Sequence, residues 1–374
     1  MSQSFKSNLE KAPKIVLALG ALVLLGFIGV SSLWHSAVSF FHDDTVRLHV
    51  YTWSDYIEPD LIAQFEEANN CKVIIDTFDD NETMLAKLLA GGGGYDVLFP
   101  SSYTIPVMVR AGMLAPLDPD LLSNVATNFD NKYKNLLQPY VGKYSVPYAL
   151  SVTGVAYRKD KVDPANPLKY SWTDILNPCW NKRVSILRDI REMIGIGLIL
   201  SGKSVNTTNS EDVAAAVPRV IELKRGAVKM DNEAYRAGLA SGEILACIGY
   251  LTDVLQIMFE NENTPIDFFV PKEGGTCCWD EMVIAASSEK KELAHKFIDF
   301  LYDPKVAAKN MAYICSPVPN SGMWEYLDEM YRDNPFVNMK TEEINKLKLI
   351  EDVGSNLGIY SKAWDTVTNA RCPR

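Results

Sequence analysis

Between Arg47 and Gly112 the chain alternates short runs of β-forming residues with helical patterns, and this alternation limits its fold more than any other feature. Arg47–Tyr51 reads as a strand, followed by a loop carrying Trp53, Ser54, Asp55 and Tyr56. Glu58-Pro59-Asp60 then opens a helix, with proline in the first turn, where its missing N–H costs nothing. Leu61, Phe65 and Ala68 give that helix one apolar face. Cys71–Thr77 reads as a second strand. Asn81 is expected to cap a helix whose inner side carries Met84, Leu85, Leu88 and Leu89, with Gly91–Gly94 as its stop. Tyr95–Pro100 is an apolar run of the kind found in buried parallel strands, and Ile105–Gly112 is a short helix. This β-α-β-α order predicts an α/β fold with crossover helices. Two polar-aromatic loops, at Trp53–Tyr56 and Ser101-Ser102-Tyr103, then fall at the carboxyl ends of strands, where open α/β sheets bind ligands.

At 374 residues the chain is long enough for two lobes, and 47% hydrophobic with 22% charged residues marks it as globular. Its net charge is −10, although residues 1–39 carry three lysines and one glutamate, so the remainder is more acidic still. That excess speaks against nucleic acid, whose phosphates need a basic face, and suits a cationic ligand. Lys14 precedes the unbroken apolar run Ile15–Val30, and Ala37-Val38-Ser39 offers a small-x-small cleavage site. Residues 1–45 are therefore expected to be a signal peptide or an N-terminal anchor, with 15–33 as a possible tether. The rest would lie in the periplasm or at the extracytoplasmic face of the inner membrane. Seven cysteines are present, an odd number, so at least one lacks an internal disulfide partner, and none shows zinc-type Cys-x-x-Cys spacing.

Beyond the leader only His49 and His295 occur, too few for a histidine-based metal site or a Ser-His-Asp triad. Gly197–Ser204 formally matches the phosphate-binding pattern Gly-x4-Gly-Lys-Ser. That loop must follow a strand and open a helix. Here it ends the apolar stretch Ile194–Leu200, so it reads as a helix terminus stopped by Gly202. Further along, Val152–Arg158, Val184–Leu187, Ile244–Tyr250, Ile266–Pro271 and Cys278–Ala286 read as strands. Glu211–Lys224, Thr252–Glu262, Lys290–Tyr302 and Pro304–Ile314 read as helices, and the remainder as mostly helical. The strand entered through Tyr144–Tyr148 has no long helix before it and is a natural crossing between lobes.

Several stretches, in this order and spacing, resemble the spermidine/putrescine receptors of ABC importers: Trp53-Ser-Asp-Tyr-Ile57, Asn81-Glu-Thr-Met84, Tyr95–Ser101, Val146-Pro-Tyr148, Ser171–Ile175, Thr264–Asp267 with Pro271–Gly274, and Asp352-Val-Gly354. The resemblance runs from about Val46 to Trp364. It implies a two-lobed periplasmic-binding-protein fold of type II, with mixed, mostly parallel sheets and helices on both faces. Lobe one would be residues 46–150 plus 279–320, and lobe two 151–278 plus 321–374. It implies a non-enzymatic monomer that captures a di- or polyamine and delivers it to a membrane permease, with no cofactor and no metal.

Residue by residue, Trp53, Asp55, Tyr56, Ser101, Tyr103, Asp189, Glu192, Tyr250, Asp253 and Asp280 match the ligand-contacting positions of such receptors. Read as residues alone, Asp55 serves equally as a helix cap, Asp280 as a partner for a structural cation, and Asp189 and Glu192 as partners for Arg188 and Arg191. The sequence departs from the pattern at Cys278, where the family has an aromatic ring, at Ile350 and at Arg188. Trp279, one place on, points to the other face of a strand and cannot replace that ring. Two rivals follow: the same fold with another organic cation or amino acid as ligand, signalled by Arg188, and a thiaminase-like enzyme using Cys278 as nucleophile. For the phosphate-loop match, Lys203→Ala is expected to leave ATP binding at background, and ATP binding in the unaltered chain that the substitution abolishes would refute this.

Overall fold

The structure, a computed structural model, describes residues 45–260 and 263–371. The leader, its cleavage site and Cys372 lie outside the described residues. Arg47–Arg374 forms one compact unit. Its strands are β1 (Val46–Thr52), β2 (Cys71–Thr77), β3 (Val97–Leu98), β4 (Ser145–Arg158), β5 (Val184–Ile186), β6 (Lys229–Met230), β7 (Ala246–Tyr250), β8 (Ile266–Phe269), β9 (Thr276–Ile284) and β10 (Lys348–Leu349). They run in the order β2-β1-β3-β9-β4-β7-β5-β6, with β8 on β4 and β10 on β9.

The order splits at β4, a strand of 14 residues. Its first half pairs antiparallel with β9, from Ser145 opposite Val283 to Val152 opposite Cys277. Its second half pairs with β7 and β8. Nearly every residue of β4 is buried, which is why it shows no polar alternation. Pairs away from these two long strands, β1–β3, β5–β6 and β5–β7, are parallel, as the βαβ pattern required. Ser316–Asn320 runs beside the same junction: Leu150 N–H donates to Pro317 O, and Asn320 bridges Phe129. β4, β9 and this segment thus run together where the two groups of strands meet.

Helix α1 (Pro59–Asn69) buries Leu61 and Phe65, the latter edge-on to Phe297 at 4.9 Å. Helix α2 (Asn81–Leu89) is capped by Asp80, whose carboxylate accepts from Thr83 N at 2.6 Å. The expected cap, Asn81, is instead the first helical residue and turns inward. Asp55 does not cap α1 either: Glu58 does, accepting from Leu61 N at 3.1 Å, while Asp55 sits in the left-handed turn before it at φ 52°. Helix α3 (Ile190–Leu200) ends as expected, with Gly202 at φ 68° and an exposed Lys203 paired to Asp212 at 2.7 Å. Beyond residue 320 the chain is less helical than expected. Short turns and β10 precede its one long helix there, α5 (Leu357–Asn369), after α4 (Pro304–Ile314).

Gly154 marks where β8 crosses close over β4. A Cβ there would lie 2.3 Å from Phe268 Cζ and 2.6 Å from the carbonyl of Phe269. Gly154→Ala is therefore expected to destabilise the fold by about 1–3 kcal/mol, the range for overpacking a tight core. A lower urea midpoint with unchanged slope would show it; an unchanged midpoint would refute the close packing.

Candidate functional site

The site is built from β9 outward. Strand alternation sends Trp279 and Glu281 to one side and Cys278 and Asp280 to the other. Trp279 is fully buried, with its indole N–H on Leu136 O at 3.0 Å and its ring edge-on to Tyr133. It does not fill the place of Cys278, as the alternation required. Asp280 is 8% exposed, and both its oxygens are held by neutral donors. Tyr56 OH donates to Oδ2 at 2.5 Å and Ser101 OH to Oδ1 at 2.7 Å. Among the described residues no lysine, arginine or histidine forms an ion pair with it. Burial pushes its carboxyl up to about 6, against the pull of the two hydroxyls, which favour the ionised form.

These hydroxyls are themselves fixed. Asn81 donates to Ser101 Oγ at 3.0 Å and to Tyr103 OH at 2.9 Å, and accepts from Ser101 N at 2.9 Å. The backbone carbonyl of Tyr56 accepts from Tyr148 OH at 2.5 Å, and Tyr148 OH accepts from Asn310 of α4 at 2.5 Å. Trp53 donates its indole N–H to Phe99 O at 3.0 Å and leans on Phe78, leaving part of its ring exposed. Asn81 and the Tyr148–Asn310 link were not singled out for the site by the sequence. The one available signal was a second cap-type residue directly after Asp80 at a helix start.

The facing acids sit at the amino end of α3. Asp189 is its cap and accepts from Glu192 N at 2.9 Å. Glu192 is buried and accepts from the hydroxyl of Thr276 on β9. The two carboxylates are pushed up by burial, and Glu192 further by the Asp189 charge. Neither is neutralised by the arginines beside them. Arg188 is exposed and its N–H bonds Asn232, while Arg191 reaches away to Glu351 O at 2.8 Å and Asn206 at 2.9 Å. The rival structural pairing is thus not formed.

Electrostatic contact links the two groups of acids through the space between them. The Cys278 thiol is raised by burial and then by Asp280, Glu192 and Asp189. Tyr103 feels Glu82, Asp189 and Cys278, and Tyr250 feels Asp189, Glu192 and Cys278. Tyr56, Tyr103, Asp189, Glu192, Tyr250 and Asp280 thus lie near enough to Cys278 for their charges to act on one another, Ser101 joins them through Asp280, and Trp53 stands at the Phe99 strand end. Asp253 is drawn aside, taking the hydroxyl of Tyr235, with Arg236 and Glu233 as the charges around it. Asp55 is exposed and lies near Tyr313. Ile350 is buried. Burial first, and these carboxylates after it, favour the neutral thiol, the weaker nucleophile. The six described cysteines are all unpaired. Among the described residues no cluster suited to a metal ion occurs, and no helix is long and apolar enough to cross a membrane.

Over residues 60–344 the chain matches the family of bacterial extracellular solute-binding proteins. It is 30% identical to the spermidine/putrescine-binding periplasmic protein of Escherichia coli, over 97% of this chain and 100% of that protein. Identity to the putrescine-binding periplasmic protein of Pseudomonas aeruginosa is 29%, over 88% and 93%. Among solved structures, the spermidine/putrescine ABC transporter substrate-binding protein of Streptococcus pneumoniae superposes with a TM-score of 0.77 at 26% identity, covering 87% of this chain and 99% of that one.

Because Asp280 is protonated more readily folded than unfolded, its charge costs stability as pH rises through the interval from its ordinary value to about 6. The unliganded Asp280→Asn protein is expected to be more stable than the parent at pH 7.5 by on the order of 1–2 kcal/mol, a gain that fades below about pH 4. Chemical denaturation at the two pH values checks this; a loss of stability at pH 7.5 would show that the carboxylate is structurally satisfied.

Proposed function

The chain belongs to the bacterial extracellular solute-binding proteins, in their spermidine/putrescine-binding branch, and on that premise we propose that its cleft captures a linear di- or polyamine for an ABC importer. One observation carries the reading: Asp280 is buried on hydroxyl donors alone, with no lysine, arginine or histidine paired to it among the described residues, while Asp189 and Glu192 act on the Cys278 thiol that stands beside it on β9. A cation with ammonium groups at both ends supplies the missing charge through charge-assisted hydrogen bonds. Trp53, Tyr56, Tyr103 and Tyr250 line the methylene chain and offer cation–π contacts of about 0.5–2 kcal/mol each. Asp55 and Asp253 stand as outlying acids of the same cleft.

The lobes are taken as residues 46–150 plus 279–320 and residues 151–278 plus 321–374. A ligand touching both favours the closed form, which the permease reads. The protein acts as an extracytoplasmic monomer without catalysis, and residues 15–33 serve as its signal or its anchor. An amino-acid ligand is disfavoured, since its carboxylate needs a positive partner and the guanidinium of Arg188 is turned to solvent.

A thermal-shift panel of putrescine, cadaverine, spermidine, spermine and the basic amino acids tests the reading. A true ligand at 100 times its dissociation constant adds about 2.7 kcal/mol. Amines are expected to stabilise and amino acids not; the reverse would overturn the reading. With the best amine, Asp280→Asn is expected to lose about 2–5 kcal/mol of binding by calorimetry, and Asp189→Asn less. Equal or greater loss in Asp189→Asn would move the anchor to the other lobe.

A further inference from the structure

Resting on the amine-capture reading above, we propose that Arg110 and Asp352 are positioning residues, an ion-pair latch between the two lobes that slows the release of a captured amine without touching it. Arg110 Nη2 donates to Asp352 Oδ2 at 2.7 Å. The two residues are 242 apart in the chain and fall in different lobes of the division above. Arg110 ends the short helix Ile105–Arg110, which follows directly on Ser101 and Tyr103 and buries Ile105 and Met108. The turn after that helix is tied to β9: Ala115 N–H donates to Ile284 O at 2.9 Å, and Ala286 N–H to Met113 O at 2.8 Å. Asp352 follows β10. The backbone of Glu351 just before it is held on both sides, its N–H donating to Asn206 Oδ1 at 2.9 Å and its carbonyl accepting from Arg191 of α3 at 2.8 Å. Asp352 Oδ1 accepts from Gly354 N at 2.7 Å, and Gly354 takes φ 56° to close that turn.

The sheet explains why these two arms matter. One edge of β9 is taken by β4. On the other edge, Ser101 bridges Asp280, and β10 pairs at Thr276 and Cys277. The ion pair therefore joins the two chain segments that meet this edge on either side of Cys278, one leading from the Asp280 anchor and one from the wall of α3. The side chain of Arg110 is 57% exposed and that of Asp352 17%, so the pair is modest and is weakened by salt. Its cost is low on one side, because the turn at Gly354 already fixes the carboxylate and only Arg110 must be ordered. A ligand held by both walls and a latch held by both lobes favour the same closed form, so the latch adds to retention equally for any amine.

The test is stopped-flow binding and release of putrescine and of spermidine at low salt. It compares the full chain with Arg110→Gln, with Asp352→Asn, which keeps an acceptor for Gly354 N–H, and with the double variant. Each single variant is expected to release both amines about two- to fivefold faster at an unchanged association rate, and the double variant no faster than either. Arg110→Lys, which keeps the charge, is expected to stay near the parent, and raised salt to narrow the gap between parent and variants. Unchanged release, effects that add in the double variant, or a change for one amine alone would overturn the proposal. If the unaltered chain binds neither amine, the amine reading falls and small-angle scattering of the ligand-free proteins decides the latch. The variants are then expected to show a larger radius of gyration than the parent, and an equal radius would overturn the latch as well.

Discussion

One buried carboxylate with no counter-ion paired to it, Asp280, is the constraint on which the rest of this structure depends. Removing a carboxylate from water costs several kcal/mol unless hydrogen bonds replace the lost solvation. Asp280 meets that demand with two hydroxyls, and a hydroxyl is useful only if it cannot swing away. Hence the supports behind it: Asn81 pins Ser101 and Tyr103, while Tyr148 and Asn310 pin the backbone of Tyr56. Residues from the β1 loop, α2, β4 and α4, far apart in sequence, are thereby committed to the geometry around one carboxylate. A lysine in that place would have stabilised the fold more simply and filled the site.

The two long central strands decide where such a carboxylate can stand. Because β4 and β9 pair antiparallel along the junction, one face of β9 enters the core and the other enters the cleft. Trp279 and Glu281 take the first face, Cys278 and Asp280 the second. The same register brings Thr276 to Glu192, so β9 touches the acids of both walls within five residues. The strand therefore serves as the ruler between the two ends of the site. Cys278 shares the face of Asp280, and burial, then the nearby carboxylates, favour its neutral thiol.

Much of this was legible in the sequence, and the gaps have physical causes. The strand-helix order and the opposite faces taken by Trp279 and Asp280 follow from periodicity, which is local and therefore readable. The helix stop at Gly202 was readable for the same reason. The caps were misplaced because Asp80 and Asn81, or Asp55 and Glu58, are chemically interchangeable as acceptors. Only the tertiary pull on Asn81 from Ser101 and Tyr103 settles which one turns inward. The role of the arginines was open for a similar reason. Sequence shows that Arg191 adjoins two acids but not that Asn206, Glu351 and Tyr360, remote in the chain, hold it off. Long-range contacts of this sort leave no periodic trace.

The electrostatics of the two walls then differ in kind. Asp280 sits among hydroxyls, which favour its ionised form by hydrogen bonding and bring no net charge. Burial pushes Asp189 up, and burial with the Asp189 charge pushes Glu192 up to about 7. The first arrangement fixes geometry and leaves the carboxyl near 6, so its charge is incomplete in mildly acid solution. The second sets two carboxylates side by side, Asp189 on the amino end of α3 and Glu192 on the Thr276 hydroxyl, so that its charge too is incomplete toward neutral pH. A cation spanning the two walls would meet one carboxylate held by two hydroxyls at one end and a pair of carboxylates at the other. Ligand length would then be read against the fixed end, with the far ammonium free to choose between two carboxylates.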